Sequence, residues 1–189
     1  MKNLLNYIEK RFTLSKADIA LLEQYSTTVY ITAQTKVLEA GQIEQHVYFI
    51  SSGIVKGYQN IDGKFVVQHL VEEHDFFTSL ESFTNESPTL DYYEAITDCR
   101  LIKISKSDFE LLQAKTKFWS DVVNTVTNEH LNCKQERVKD FQTLNAKERY
   151  LKFLKQYPKL ALRVSVDNIA SFLGIEPQSL SRIRKQIVF

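Results

Sequence analysis

Five polar side chains near the C-terminus carry the sharpest chemistry in this sequence: Gln178, Ser179, Ser181, Arg182 and Lys185, in the run PQSLSRIRKQI. Leu180, Ile183 and Ile187 alternate with them at helical spacing, so a helix here turns the apolar residues inward and the polar ones outward. Those polar types suit contact with duplex DNA. Arg can donate to both guanine O6 and N7, Gln can accept from adenine N6 while donating to N7, and Ser and Lys hold phosphates. Ahead of this helix, Ser165 is placed to cap a shorter one whose inward residues are Ile169, Ala170 and Leu173. Gly174 supplies a tight turn, and Pro177 takes the first position of the second helix. This is helix-turn-helix spacing, and small Ala170 lets the two helices approach. The end of a plain three-helix bundle shares the apolar pattern but has no need of Gly, Pro and a basic cluster at these places.

Charge is distributed in keeping with that reading. The net charge of +1 hides an asymmetry: residues 1–133 hold 12 Lys and Arg against 18 Asp and Glu, and residues 134–189 hold 12 against 5. A basic block on an acidic remainder is expected when one domain meets a polyanion and the other does not.

The preceding sequence supplies the elements that position this end. TLSKADIALLEQY reads as a helix capped by Ser15 with Asp18. From Val29 to Ile104 the pattern shifts to short β-branched and aromatic runs, VYI, TKVLEA, HVYFISSGIVKGYQ, KFVVQHLVE, YYEAIT and RLIKIS, broken by Gly41, Gly53 and the turn Asn60–Gly63. That spacing predicts a compact antiparallel barrel or sandwich. Ser105 with Asp108 reopens a helix, and Phe118, Val122, Val123 and Val126 continue a helical stripe. Asn145 with Glu148 caps RYLKFLKQY, which Pro158 is expected to close.

Other chemistries lack their residues. Cys99 and Cys133 are far apart, with no metal-ligand spacing, and read as ordinary buried thiols. His46, His69, His74 and His130 show no spacing that nominates an axial ligand. No nucleophile–base pair, metal set or phosphate-binding glycine loop can be assembled, so the chain is not expected to be an enzyme or to hold a cofactor. The N-terminus MKNLLNYIEKRF is charged, without the apolar region of a signal peptide, and no apolar run approaches the roughly 18 residues of a membrane span; a cytoplasmic protein without membrane association is expected.

With both motifs in place, the chain resembles the CRP/FNR family of transcription regulators, in particular the short members common in Bacteroidetes. VLEAGQIEQHVYFISSGIVKGYQNIDGKFVVQHL is similar to that family's cyclic-nucleotide-binding β-roll, and IASFLGIEPQSLSRIRKQI to its helix-turn-helix. The resemblance implies an α+β fold. An N-terminal antiparallel, jelly-roll-like sensor domain with flanking helices spans 1–115, a long dimerisation helix 116–142, and a winged-helix-like DNA-binding domain 143–189 that lacks a full wing because the chain stops at Phe189. It implies a homodimer on a pseudo-palindromic operator, and RNA polymerase as a further partner.

The departures bear on the effector. Members that bind cyclic AMP carry a Gly-Glu pair for the ribose and an Arg-Ser pair for the cyclic phosphate; Thr78-Ser79 and Thr89-Leu90 stand there instead. A hydrogen bond to a charged group is worth about 1.5–3 kcal/mol, so loss of the Arg alone predicts roughly ten- to a hundredfold weaker binding. Cyclic AMP is therefore an unexpected effector. Phe76, Phe77, Tyr92 and Tyr93 fall near the same place, where with Thr78, Ser79 and Thr89 they line a pocket for a less anionic ligand or, as expected of aromatics in a small β-domain, fill it. Glu176 before Pro177 is the other departure. It suits the helix dipole but repels DNA phosphates, which leaves open an interaction or small-molecule-binding module that has lost specific DNA binding.

Overall fold

Short-range side-chain capping sets the start of several helices. The computed structural model describes residues 1–187, and in these the chain runs α1 (Lys2–Glu9), α2 (Lys16–Gln24), β1 (Thr27–Ile31), β2 (Lys36–Leu38), β3 (His46–Ser52), β4 (Val55–Ile61), β5 (Lys64–Val71), β6 (Phe76–Phe77) and α3 (Leu80–Asn85). It continues through β7 (Asp91–Ala95), β8 (Cys99–Ser105), α4 (Lys106–Lys115), α5 (Lys117–Thr143), α6 (Ala146–Gln156), α7 (Pro158–Arg163), α8 (Val166–Leu173) and α9 (Pro177–Gln186). Reciprocal capping boxes open α2, between Ser15 and Asp18, and α6, between Asn145 and Glu148. Ser105 and Ser165 accept from the backbone N–H three residues on and start α4 and α8. Pro158 does not simply close α6. Its missing N–H costs nothing in a first turn, so it opens α7.

The strands form two four-stranded antiparallel sheets, ordered β1-β8-β3-β6 and β2-β7-β4-β5. Pairing β1 with β8 and β2 with β7 closes the roll with its ends together. Between the sheets lie Leu38, Tyr48, Ile50, Val55, Phe77, Tyr93 and Leu101, while Phe49, Ile102 and Ile104 face the other way, onto α1, α2, α4 and the start of α5. The period of two in a strand makes that division: Tyr48 and Ile50 point in, Phe49 between them points out. Each such burial contributes about 1.5–3 kcal/mol. At the β3–β4 turn Gly53 has φ +105°, and a Cβ there would sit 2.5 Å from Cys99 Sγ and 2.6 Å from the Asp98 carbonyl oxygen, so no other residue fits.

The β4–β5 hairpin turns at Asp62 and Gly63, both at positive φ (51° and 83°), the type I′ geometry that matches strand twist. Further along, Gly57 pairs with His69 but Tyr58 pairs with Val67. Gln68 is thereby extruded as a β-bulge.

Helix α5, 27 residues long, buries Phe118, Trp119 and Val122 against the roll and then runs into solvent, with Leu131, Val138 and Phe141 exposed. The C-terminal helices close around Tyr150, Phe153, Leu160, Ile169, Ala170, Leu173 and Leu180, and the roll contributes Ile54 to this cluster. They also cover the outer edge of β5. Val67 N donates to Ser171 Oγ at 2.9 Å, and Arg163 donates to both carboxylate oxygens of Glu73 at 2.7 and 2.9 Å. Cys99 is a buried thiol as expected, but Cys133 of α5 is not: it is exposed, with Sγ 3.6 Å from the Tyr157 hydroxyl. No helix among the described residues is long and apolar enough to cross a membrane.

Candidate functional site

The α8–α9 turn is built around Gly174, whose φ of +61° ends α8 in the left-handed conformation. The turn also needs a residue without a side chain, because a Cβ on Gly174 would lie 2.7 Å from Cε1 of Phe141 at the end of α5. The carbonyls left open there are taken up by Arg149, which donates to Leu173 O at 2.9 Å, Leu144 O at 2.7 Å and Gly174 O at 3.3 Å, with its guanidinium 5.3 Å from the Phe141 ring centre. Arg149 lies in the capped stretch that starts α6, and the sequence patterns of α8 and α9 give no sign of its role.

On α9 the buried anchor is Leu180, with Ile183 half-buried beside it. Gln178, Ser179, Ser181, Arg182 and Lys185 are placed on the side of the helix turned away from that anchor; Gln178, Ser179, Ser181 and Arg182 are exposed, as is Lys185. Glu176 takes the N-cap position without a side-chain cap bond, and its carboxylate lies 3.6 Å from Lys64 Nζ, at the start of β5. The end of the chain past Ile187, and with it the expected lack of a wing, lies outside the described residues.

The second site is a cavity of about 430 Å³ between the roll and α5. Phe76, Phe77, Thr78 and Tyr93 line it. The aromatics do belong to packed clusters, as expected of core, and yet leave this space open above them. Ser79 and Thr89 are buried below it, and Tyr92 faces the other side of the sheet, stacked on Tyr58 at 5.1 Å between ring centres. Period two explains the exclusion: with Tyr93 turned toward the cavity, Tyr92 must turn away.

Along one wall of the cavity runs a chain of neutral donors ending on a carboxylate. Gln68 Nε2 donates to Gln59 Oε1 at 3.0 Å, Gln59 Nε2 to Asp91 Oδ1 at 2.7 Å, and Ser79 Oγ to Asp91 Oδ2 at 2.6 Å; Ser79 and Thr89 hydroxyls are 2.8 Å apart. His69, also on the lining, is held neutral: burial pushes its pKa down to about 4, with Lys134 and Arg137 adding to the effect. Burial likewise pushes the Tyr93 phenol up, and its hydroxyl donates to Thr78 O at 3.0 Å.

Beside α3 sits Glu44, which sequence patterns did not nominate. It is 1% exposed; Oε1 accepts from His46 N at 2.9 Å, while Oε2 has no partner. Burial pushes its carboxyl up to about 7, against the opposing pull of the nearby backbone N–H groups of His46, Gln45 and Ser79. Its own N–H donates to Ser82 Oγ at 2.9 Å, tying the β2–β3 loop to α3.

Residues 28–116 match the family model of the cyclic nucleotide-binding domain. No curated protein sequence matches the chain. Among solved structures, FixK2 from Bradyrhizobium japonicum superposes with a TM-score of 0.75 at 19% identity, covering 85% of this chain and 83% of its own. The c-di-GMP-responsive global regulator CLP of Xanthomonas campestris gives 0.70 at 17% identity over 91% of each chain. A protein from Eubacterium rectale assigned to the CRP/FNR family gives 0.70 at 14% identity, over 92% of this chain and 83% of that one. Residues 28–116 therefore match the cyclic nucleotide-binding domain model, and the fold of the chain is similar to that of solved structures that include a protein assigned to the CRP/FNR family.

Proposed function

We propose that the protein is a homodimeric, cytoplasmic DNA-binding transcription regulator, with residues 1–115 as sensor, 116–142 as dimerisation helix and 143–189 as DNA-binding domain. The observation that carries the reading is α9: Gln178, Ser179, Ser181, Arg182 and Lys185 stand exposed together on a short helix anchored by buried Leu180. Entering a major groove, Arg182 and Gln178 read base edges, and Ser179, Ser181 and Lys185 hold phosphates. Leu131 and Val138, exposed seven residues apart on α5, provide a seam for a second copy. Parallel pairing there sets the two α9 helices for half-sites about 34 Å apart. RNA polymerase is the natural further partner of such a regulator.

The sensor does not retain the cyclic AMP ligands. Thr89 occupies the position of the phosphate-binding Arg, and the nearest charged group in its network is the Asp91 carboxylate. One observation favours a second reading, a ligand-binding or interaction module without specific DNA binding: Glu176 places a carboxylate at the N-terminus of α9, where a phosphate would sit, though Lys64 partly offsets it. Selection of genomic fragments by the purified protein, followed by a salt titration on the enriched fragment, separates the two. A two-fold symmetric site whose affinity falls linearly in log–log form with salt supports the regulator. No enriched site, and binding at low salt that is the same on every sequence, supports the module.

A further inference from the structure

The cavity has a charge character opposite to the one a cyclic nucleotide needs. Its walls are apolar, from Phe76, Phe77 and Tyr93 on the roll to Trp119, Val122 and Val126 on the helical side. Its charged lining consists of Asp91 and Glu81 against a single ammonium, Lys134, which lies on the exposed turn of α5. The two histidines add no cation that is free to act. His69 is neutral, and His130 is engaged with Asp75 at 3.1 Å. Asp91 already accepts from Gln59 and Ser79, both neutral donors that satisfy its oxygens without neutralising its charge. A phosphodiester brought to this end would meet the Asp91 carboxylate in place of a guanidinium. A ligand ammonium or amidinium would instead gain a charge-assisted bond in a largely apolar enclosure, where such bonds are strongest.

We infer that this cavity binds a small molecule with an apolar, aromatic-sized body and a cationic or hydrogen-bond-donating head directed at Asp91, and that it rejects cyclic nucleotides. The inference rests on the reading of residues 1–115 as a sensor, but its test needs no DNA. A cavity of about 430 Å³ is within the range that encloses a small ligand. Occupancy would also be felt outside the cavity. Gln68 lines it and is the bulge residue of β5; its carbonyl accepts from Arg137 of α5, whose guanidinium lies 4.7 Å from the Phe172 ring of α8, and the neighbouring Val67 N–H holds Ser171. A head group that draws Gln59 or Gln68 away from the chain ending at Asp91 therefore shifts the strand on which the C-terminal helices rest.

The test compares 2-phenylethylamine, 3-phenylpropionate and cyclic AMP by calorimetry on the full chain, with the fluorescence of Trp119, the single tryptophan, as a second readout. The amine is expected to bind at least about tenfold more tightly than the acid, and cyclic AMP not to compete. Asp91→Asn should erase the preference for the amine, and Val123→Trp, which fills the cavity but leaves Asp91 intact, should abolish binding; both variants are first checked for an unchanged apo unfolding transition. Binding of the acid or of cyclic AMP as tight as that of the amine overturns the inference, as does amine binding indifferent to both substitutions, or no binding of any probe at millimolar concentration. Because the readout is ligand binding, a protein that binds the amine but selects no DNA would count against the proposed function and not against this site.

Discussion

Glu44→Gln should make the protein more stable in alkaline solution and leave it nearly unchanged in acid. The carboxyl is 1% exposed, one oxygen is unpartnered, and burial raises its pKa from 4.5 to about 7. A raised carboxyl pKa means that the folded state binds the proton more tightly than the unfolded one. The associated stability is complete below about pH 4.5 and is lost as pH rises through 7. At about 1.4 kcal/mol per unit, the gap corresponds to a penalty of about 3 kcal/mol once the group is ionised. Nearby groups offer little relief: His46 Nδ1 stands 4.0 Å from Oε1, but burial and then Lys103 lower the His46 pKa, so the ring is a poor counter-ion at that pH. Gln keeps an acceptor for the His46 N–H but brings an amide that must find its own partner, which reduces the gain to about 1–2 kcal/mol. Thermal unfolding at pH 5 and pH 8.5 reads this directly. For a chain of this size the variant should melt about 2–8 °C above the parent at pH 8.5, with the two nearly coincident at pH 5. A variant that is less stable at both pH values by the same amount would refute the reasoning, because it would mean that the backbone N–H groups hold an ionised Glu44 at no cost.

Three further outcomes are expected. Arg182→Ala should weaken binding to the selected operator by about 1–3 kcal/mol and relax preference at one base position, whereas Lys185→Ala should weaken all sequences alike and lower the salt slope by about one; competition assays on matched and scrambled duplexes distinguish them. Gly174→Ala should destabilise the protein by at least about 1–2 kcal/mol in chemical denaturation, since φ +61° strains any L side chain and the new Cβ must displace Phe141. Arg137→Met should leave the roll folded but loosen the C-terminal helices, because it removes the bond to Gln68 O and the contacts with Phe172 and Phe141; faster proteolytic cleavage between Leu144 and Asn145 with intact near-UV signals from the roll is the expected pattern.

Features that depend on neighbours in sequence were legible, and those that depend on neighbours in space were not. Ser15, Ser105, Asn145 and Ser165 each cap a helix through a bond three residues away, so type and spacing suffice. Helix α3 escaped notice because Ser79, at its N-cap, gives its hydroxyl to Asp91 and leaves no capping signal. Helix α7 escaped because Pro158 is equally suited to ending a helix and beginning one. The outward face of α9 follows from its 3.6-residue period, so all five nominated side chains lie where that period puts them. The cavity depends on strand order and on the one-residue slip at Gln68, which shifts only when β4 and β5 are paired. Asp91, the carboxylate on the cavity lining to which Gln59 and Ser79 donate, carries no local pattern at all, and neither does buried Glu44.

The cover that α8 lays over β5 also bears on how far the molecule can open. β5 is the last strand of its sheet, and an uncovered edge offers unpaired backbone groups to any passing strand. Lifting the C-terminal helices clear of the roll would break the Val67–Ser171 bond, expose Ile54 to water and leave a template for self-association. Any movement that couples the roll to these helices is therefore suited to a pivot about β5, a small roll of α8 on its strand, with large swings held in check by the hazard of aggregation.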